Sequence, residues 1–147
     1  MKILLIGGSG FIGKEIVRQS LRAGHEVALF NRGITSTCSD LPGVRAVAAN
    51  GHTPGHTVYV IESNGQKLVL WGDLMHVAAV QFPEPAVTIA FDTDSAAAAA
   101  QRAKAYADAA QGRFLVAAAH LPFPGIGHLR SEGKGYAWIP ITYTTAR

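Results

Sequence analysis

"GHTPGHTVYVIESNGQKLVLWGD", residues 51–73, decides how the larger part of this chain folds. Its first seven residues place His52 and His56 four apart in a loop bounded by glycines, which reads as half of a metal site. "TVYVIES" (57–63) and "QKLVLWGD" (66–73) have the apolar, β-branched composition of strands, and Asn64-Gly65 between them is a hairpin turn signal. Asp73 closes the second strand, at a strand end where side chains from different elements converge.

Working outward, Val44–Ala49 predicts a further strand ahead of the loop. "DTDSAAAAAQRAKAYADAAQG" (92–112) predicts a helix, with Asp94 or Ser95 as its cap, Gly112 as its terminator and an alanine run that supplies helix propensity. "RFLVAAAH" (113–120) returns to a buried strand that ends at His120. "GKGYAWIPITY" (133–143) predicts a closing strand, and Pro140 marks it as an edge or a bulge because proline cannot donate to a ladder.

The start of the chain follows a different grammar. "KILLIG" (2–7) is a continuous apolar run, as in a strand buried on both faces of a parallel sheet. In the following turn Gly8, Gly10 and Gly13 satisfy G-x-G-x-x-G, and Gly7, Gly10 and Gly13 satisfy G-x-x-G-x-x-G. A helix follows, with Phe11, Ile12, Ile16, Val17 and Leu21 on one stripe and Gly24 as its cap, and "EVALFNRG" (26–33) reads as the second strand. Such glycines permit a tight turn and close approach of a pyrophosphate to the amides of a helix N-terminus, so the segment reads as a Rossmann-type βαβ unit. Gly7, Gly8, Gly10, Phe11, Ile12 and Gly13 are the candidate cofactor-binding residues, together with Arg32, which suits a 2′-phosphate and points to NADP, weakly held.

Residues 1–33 resemble the start of the extended short-chain dehydrogenases/reductases, the NAD(P)-dependent epimerase family. The family's catalytic Tyr-x-x-x-Lys is absent, since none of Tyr59, Tyr106, Tyr136 and Tyr143 has a lysine four positions on. Residues 41–147 resemble instead the C-terminal half of a metallo-β-lactamase-fold hydrolase, nearest the lactonase and methyl-parathion-hydrolase branch, through "GHTPGHT", "LWGD" and "AAAHLPFPGIGHL" in that order. That resemblance implies His56 on a first metal, Asp73 bridging two metals and His120 on the second, with zinc as the metal of a partial site. It makes His52 a motif residue without a ligand role and places Leu121 to His128 along a substrate pocket. The H-x-H-x-D-H motif of the family's N-terminal half is nowhere in the chain. His25, His76 and His128 read as surface, rim or loop residues, and Trp71 and Trp138 as core aromatics.

With 147 residues the chain has the size of one domain, and 48% hydrophobic against 16% charged residues excludes disorder. The net charge of +3 is scattered, with no basic run to track a nucleic acid, and no apolar stretch approaches the roughly 18 residues of a membrane span. The lone Cys38 has no intramolecular partner, and Met1 leads into a strand without a signal-peptide pattern, which predicts a cytoplasmic protein.

"GITSTCSDLPG" has the composition of a linker, so the expected organisation is a βαβ segment (1–33), a junction (34–43) and the hydrolase half (44–147), folded together. The expected fold is α/β, one layered domain with a mixed β-sheet. Two truncated ancestries imply a constructed or selected chimera without evolved catalytic activity. A residual metal-binding hydrolase and a weak NADP-binding module are the other functional expectations. A half-sheet deprived of its partner exposes apolar surface and strand edges, which predicts self-association as a dimer.

Overall fold

A computed structural model describes residues 2–6, 11–30 and 44–143, and the chain divides into two compact units, Met1–Pro42 and Gly43–Arg147. In the first unit β1 (Lys2–Ile6) and β2 (Glu26–Phe30) pair in parallel, Lys2 opposite Glu26 and Ile6 opposite Phe30, with α1 (Phe11–Arg22) as the crossover. This is the strand-helix-strand unit expected from the apolar run, the glycine turn and the amphipathic stripe. Gly24 ends the helix at φ +76°, a conformation glycine adopts without steric cost. On the outer face of α1, Glu15 accepts hydrogen bonds from Arg18 and Gln19, and these hold its carboxyl below the usual range.

The second unit is built on a six-stranded mixed sheet in the order β3-β4-β5-β6-β7-β8. Its strands are β3 (Val44–Ala48), β4 (Thr57–Ser63), β5 (Gln66–Leu70), β6 (Leu115–Ala117), β7 (Ile126–Glu132) and β8 (Gly135–Pro140). Neighbours are antiparallel except β5 and β6, which run parallel and are linked by a 3₁₀ turn (Gly72–Leu74), α2 (Ala78–Gln81) and α3 (Ser95–Gly112). Asn64 and Gly65 both take positive φ between β4 and β5, as a tight hairpin requires. Pro140 sits on β8, an edge strand of this sheet.

Three sequence expectations shift. β5 stops at Leu70 rather than Asp73, because Trp71 starts the 3₁₀ turn. β6 covers only Leu115–Ala117 of the run 113–120, so His120 stands beyond the strand. β7, over a stretch read only as a pocket border, alternates half-buried and buried from Ile126 to Leu129 as a sheet face demands.

Trp71, Tyr106, Met75 and Val116 are fully buried, and Val60, Val69, Leu74, Phe82 and Leu129 nearly so. Trp71 stacks on Tyr106 at 5.1 Å, and Phe82 and Tyr136 reach the same ring at 5.3 and 5.4 Å. α3 contributes Ala98, Arg102, Tyr106 and Ala109, the i, i+4, i+8, i+11 stripe of a helix that buries one face. Its cap is Asp94, whose carboxylate accepts the Ala97 amide at 2.9 Å. The left-handed residue at its end is Arg113 (φ 51°), not Gly112. Gly112 is needed for space instead, since a Cβ there would lie 2.7 Å from the Phe114 ring.

A cavity of about 1070 Å³ opens between α3 and strands β3, β4 and β5, floored by Val47, Val58, Val60 and Val69. Among the described residues no helix is long and apolar enough to cross a membrane.

Candidate metal centre

The loop after β3 is held against the start of α3. Gly51 has φ +143°, and a Cβ on it would come within 2.3 Å of the Ala98 amide nitrogen, so backbone passes backbone directly. Thr93 donates through both its amide (3.0 Å) and its hydroxyl (2.9 Å) to the His52 carbonyl, and the Asp94 amide donates to Gly51 at 2.9 Å. These contacts set His52 beside Asp92. His52 Nδ1 lies 3.1 Å from Asp92 Oδ1, and His52 Nε2 faces Asp73 Oδ2 at 3.6 Å.

Asp73 stands in the 3₁₀ turn after β5, at φ −96° and ψ 29°. Its other oxygen, Oδ1, lies 3.2 Å from His120 Nε2. One carboxylate therefore offers one oxygen to each of two imidazoles. His120 reaches it because β6 runs parallel to β5, and Trp71 and Ala119 donate backbone hydrogen bonds to Ala117 and Gly72 across the strand ends.

Behind this pair lies a buried polar strut. Asp92 and Arg102 are both buried, and Arg102 Nη2 donates to Asp92 Oδ2 at 3.4 Å, an oxygen that also accepts the Ile89 amide. The remaining guanidinium donors go to the carbonyls of Leu74 (2.9 Å), Pro85 (2.9 Å) and Val87 (2.6 Å). One side chain of α3 thus serves three carbonyls between residues 74 and 87 and one carboxylate, as burying a charge requires. Gln81, also buried, accepts the amides of His76 (2.7 Å) and Val77 (3.1 Å) and donates to Val87 at 2.9 Å.

His76 lies between the two histidines, its ring centroid 4.5 Å from that of His120 and 4.8 Å from that of His52. Its Nδ1 is buried with no hydrogen-bond partner. Burial, then the charges of His120 and His52, hold it below the usual imidazole range. Two triads bring their donor atoms within 4.8 Å of one another: Asp73, His76 and His120, and His52, His76 and Asp92.

Of the ligands that the resemblance implies, Asp73 and His120 are brought together at 3.2 Å, and His56 stands next to them, 3.2 Å from the Asp73 amide. His56 Nδ1 donates to the Ala49 carbonyl at 3.0 Å, which leaves Nε2 to accept the Asp73 amide at 3.2 Å. Both nitrogens have backbone partners, and through Nε2 His56 holds the backbone of Asp73. His52, read from the sequence as a bystander of the motif, faces the carboxylate instead. His76, read as a rim residue, lies inside the cluster.

The signal that escaped was Asp73-x-x-His76, an i, i+3 spacing that brings both side chains to one side of a tight turn. A second was the single arginine on the buried stripe of an alanine-rich helix. Gly7, Gly8, Gly10 and Arg32 lie outside the described residues, while Phe11, Ile12 and Gly13 form the first turn of α1. His128 Nδ1 bonds the Phe114 carbonyl at 3.2 Å on the cavity wall, and none of the clustered histidines lines that cavity.

Residues 3–112 match the NAD dependent epimerase/dehydratase family, well past residue 33 where the sequence resemblance stops. Among solved structures, one similar protein is AidC, a dizinc quorum-quenching lactonase in complex with a product (28% identity, TM-score 0.68, 89% of this chain and 42% of that one). Another is the hydrolase AbOPH of the beta lactamase superfamily (34% identity, TM-score 0.68, 90% of this chain and 44% of that one). A probable metal-dependent hydrolase from Staphylococcus aureus shares the fold at 21% identity and TM-score 0.58, over 82% of this chain and 42% of its own. This chain spans less than half the length of each. No curated protein matches it significantly.

Proposed function

The chain belongs to the NAD dependent epimerase/dehydratase family and carries a metallo-β-lactamase-like hydrolase fold, and from that premise we propose that it is a chimera, constructed or selected, whose second unit binds a zinc-class cation without efficient turnover. The supporting observation is the Asp73 carboxylate, with one oxygen towards His52 and the other towards His120. Imidazole and carboxylate are the donors zinc prefers, and Asp92 behind His52 is the outer carboxylate that accompanies metal-binding histidines.

His52, Asp73 and His120 would hold the ion, which would supply Lewis acidity and a water of lowered pKa. Asp92 accepts from His52 Nδ1, so that Nε2 presents its lone pair towards Asp73. His56 fixes the Asp73 backbone, and Arg102 fixes Asp92. What the chain does not carry is the H-x-H-x-D-H set, so the remaining donors leave the ion under-coordinated by protein and its water poorly oriented for attack.

Elemental analysis of protein purified without chelators, beside hydrolysis assays on lactone and aryl-ester substrates, tests the reading. The expected result is close to one metal per chain with marginal turnover. Metal below about a tenth of an ion per chain, too little for a site of useful affinity, sinks the metal assignment. Rapid hydrolysis abolished by Asp73→Asn sinks the claim of inefficiency.

The first unit supports a second reading, weak NADP binding, through its parallel β1–β2 pair bridged by α1. Gly7, Gly8, Gly10, Gly13 and Arg32 would hold the phosphates. Titration of NADP against wild-type and Gly10→Val proteins checks it, and equal binding by the two dismisses the site.

A further inference from the structure

We propose that His76 is itself a metal ligand, joining His52, Asp73 and His120 as a further donor to the one cation, all four drawn from this unit. The proposal rests on the reading of the second unit as a metal-binding half-site and names the residue that compensates for part of the absent motif.

The donor atoms of Asp73, His76 and His120 already lie within 4.8 Å of one another. Around a tetrahedral zinc with bonds of about 2.0–2.1 Å, neighbouring donor atoms sit about 3.4 Å apart. The His120 Nε2 to Asp73 Oδ1 separation of 3.2 Å is already near that value, so closure falls to the His76 donor, which lies within 4.8 Å of both. The backbone of His76 is pinned by the buried Gln81 side chain, which leaves the ring as the part free to adjust.

Among the described residues the ring is held by no hydrogen bond at its buried nitrogen. Its buried Nδ1 has no partner, and it stacks at 4.5 Å against His120, another imidazole. Two imidazoles stacked side by side gain little from each other, and both can offer a ring nitrogen to a shared cation. Proteins rarely leave a buried ring nitrogen unpaired without a ligand to explain it.

The competing triad, His52, His76 and Asp92, is a weaker host. Asp92 Oδ1 is engaged by His52 Nδ1 and Oδ2 by the Ile89 amide and Arg102, so most of its accepting capacity is committed and its charge is neutralised from behind. Asp73 is half exposed, and its two oxygens face the imidazoles of His52 and His120.

The test uses the full chain, stripped with a chelator and reloaded with Zn²⁺ or Co²⁺ alone. Zinc affinity is read by competition with a chromophoric chelator, coordination by the visible Co²⁺ bands, and ligation by the ¹⁵N shifts of each histidine ring on adding zinc. Expected are one ion per chain, displaced ring nitrogens at both His76 and His120, and affinity at least about tenfold weaker in His76→Ala and in His76→Gln, the loss that removing even an outer-shell partner brings. His25→Ala should match wild type. Zinc binding by wild type that both His76 variants reproduce, with unmoved His76 ring signals, overturns this proposal and leaves the metal reading standing. Absence of zinc from wild type overturns both. Should His76→Ala lose its circular dichroism spectrum, His76→Gln and the wild-type ring shifts decide.

Discussion

At Asp92 a carboxylate buried beneath the protein surface ties helix α3 to the histidine loop, and its two oxygens do different work. Oδ1 orients His52, and Oδ2 neutralises Arg102. Replacing Arg102 by Met strands that carboxylate and three backbone carbonyls, so unfolding free energy should fall by about 3–5 kcal/mol in urea titrations, the cost of breaking a buried pair. Asp92→Asn keeps shape and most hydrogen bonding, and should weaken zinc binding about 10- to 100-fold, measured by chelator competition. Equal zinc affinity in wild type and Asp92→Asn would show that His52 needs no orienting partner. Asp73→Asn sits on a half-exposed turn and should leave the thermal midpoint nearly unchanged while removing metal binding.

Among the elements, α3 carries the most consequence for its sequence. Its alanine run makes the helix, but Asp94 decides where it starts, and Asp94→Ala should cost about 1 kcal/mol in a denaturant titration. A larger loss would indicate that the cap also holds the His52 loop, to which the Asp94 amide donates through Gly51.

Much at this scale was legible beforehand. The Asn64-Gly65 hairpin, the helix with its aspartate cap and the parallel β1–β2 unit all follow from local chemistry that acts within a few residues. β7 was not, because "IGHLRSE" follows a proline- and glycine-rich stretch and shows little apolar content outside its partner strands. The site was half legible. Asp73 and His120 are read at strand ends and lie just past β5 and β6, whereas what the His52 and His56 rings meet depends on distant groups such as the Asp73 amide and the Ala49 carbonyl. Such a tertiary accounting of hydrogen bonds has no local signature.

For the whole molecule, the sheet of the second unit ends in β3 and β8, and among the described residues neither edge has another strand beyond it. Pro140 blunts β8 by withholding one donor. β3 has no proline within Val44–Ala48 and only Arg45 as a charge, and beside it the valine-floored cavity offers apolar surface. We propose that the protein self-associates as a dimer through this side. Sedimentation velocity should show a concentration-dependent dimer that Val47→Lys shifts to monomer, and a monomer at all concentrations in wild type refutes it.

The parallel pairing of β5 and β6 bears on the order of events during folding. The β4–β5 and β7–β8 ladders join neighbours in sequence and can form early, but β5 meets β6 only after residues 71–114 have crossed the sheet, a slow loop closure. Asp73 lies before that crossover and His120 after it. On the metal reading proposed above, Asp73 and His120 come together only through that closure, so a metal added during refolding would act as a clock for it. Mixing refolding protein with Co²⁺ should produce the visible bands later than the recovery of far-ultraviolet ellipticity, with a lag that lengthens when α3 is weakened by Ala99→Gly.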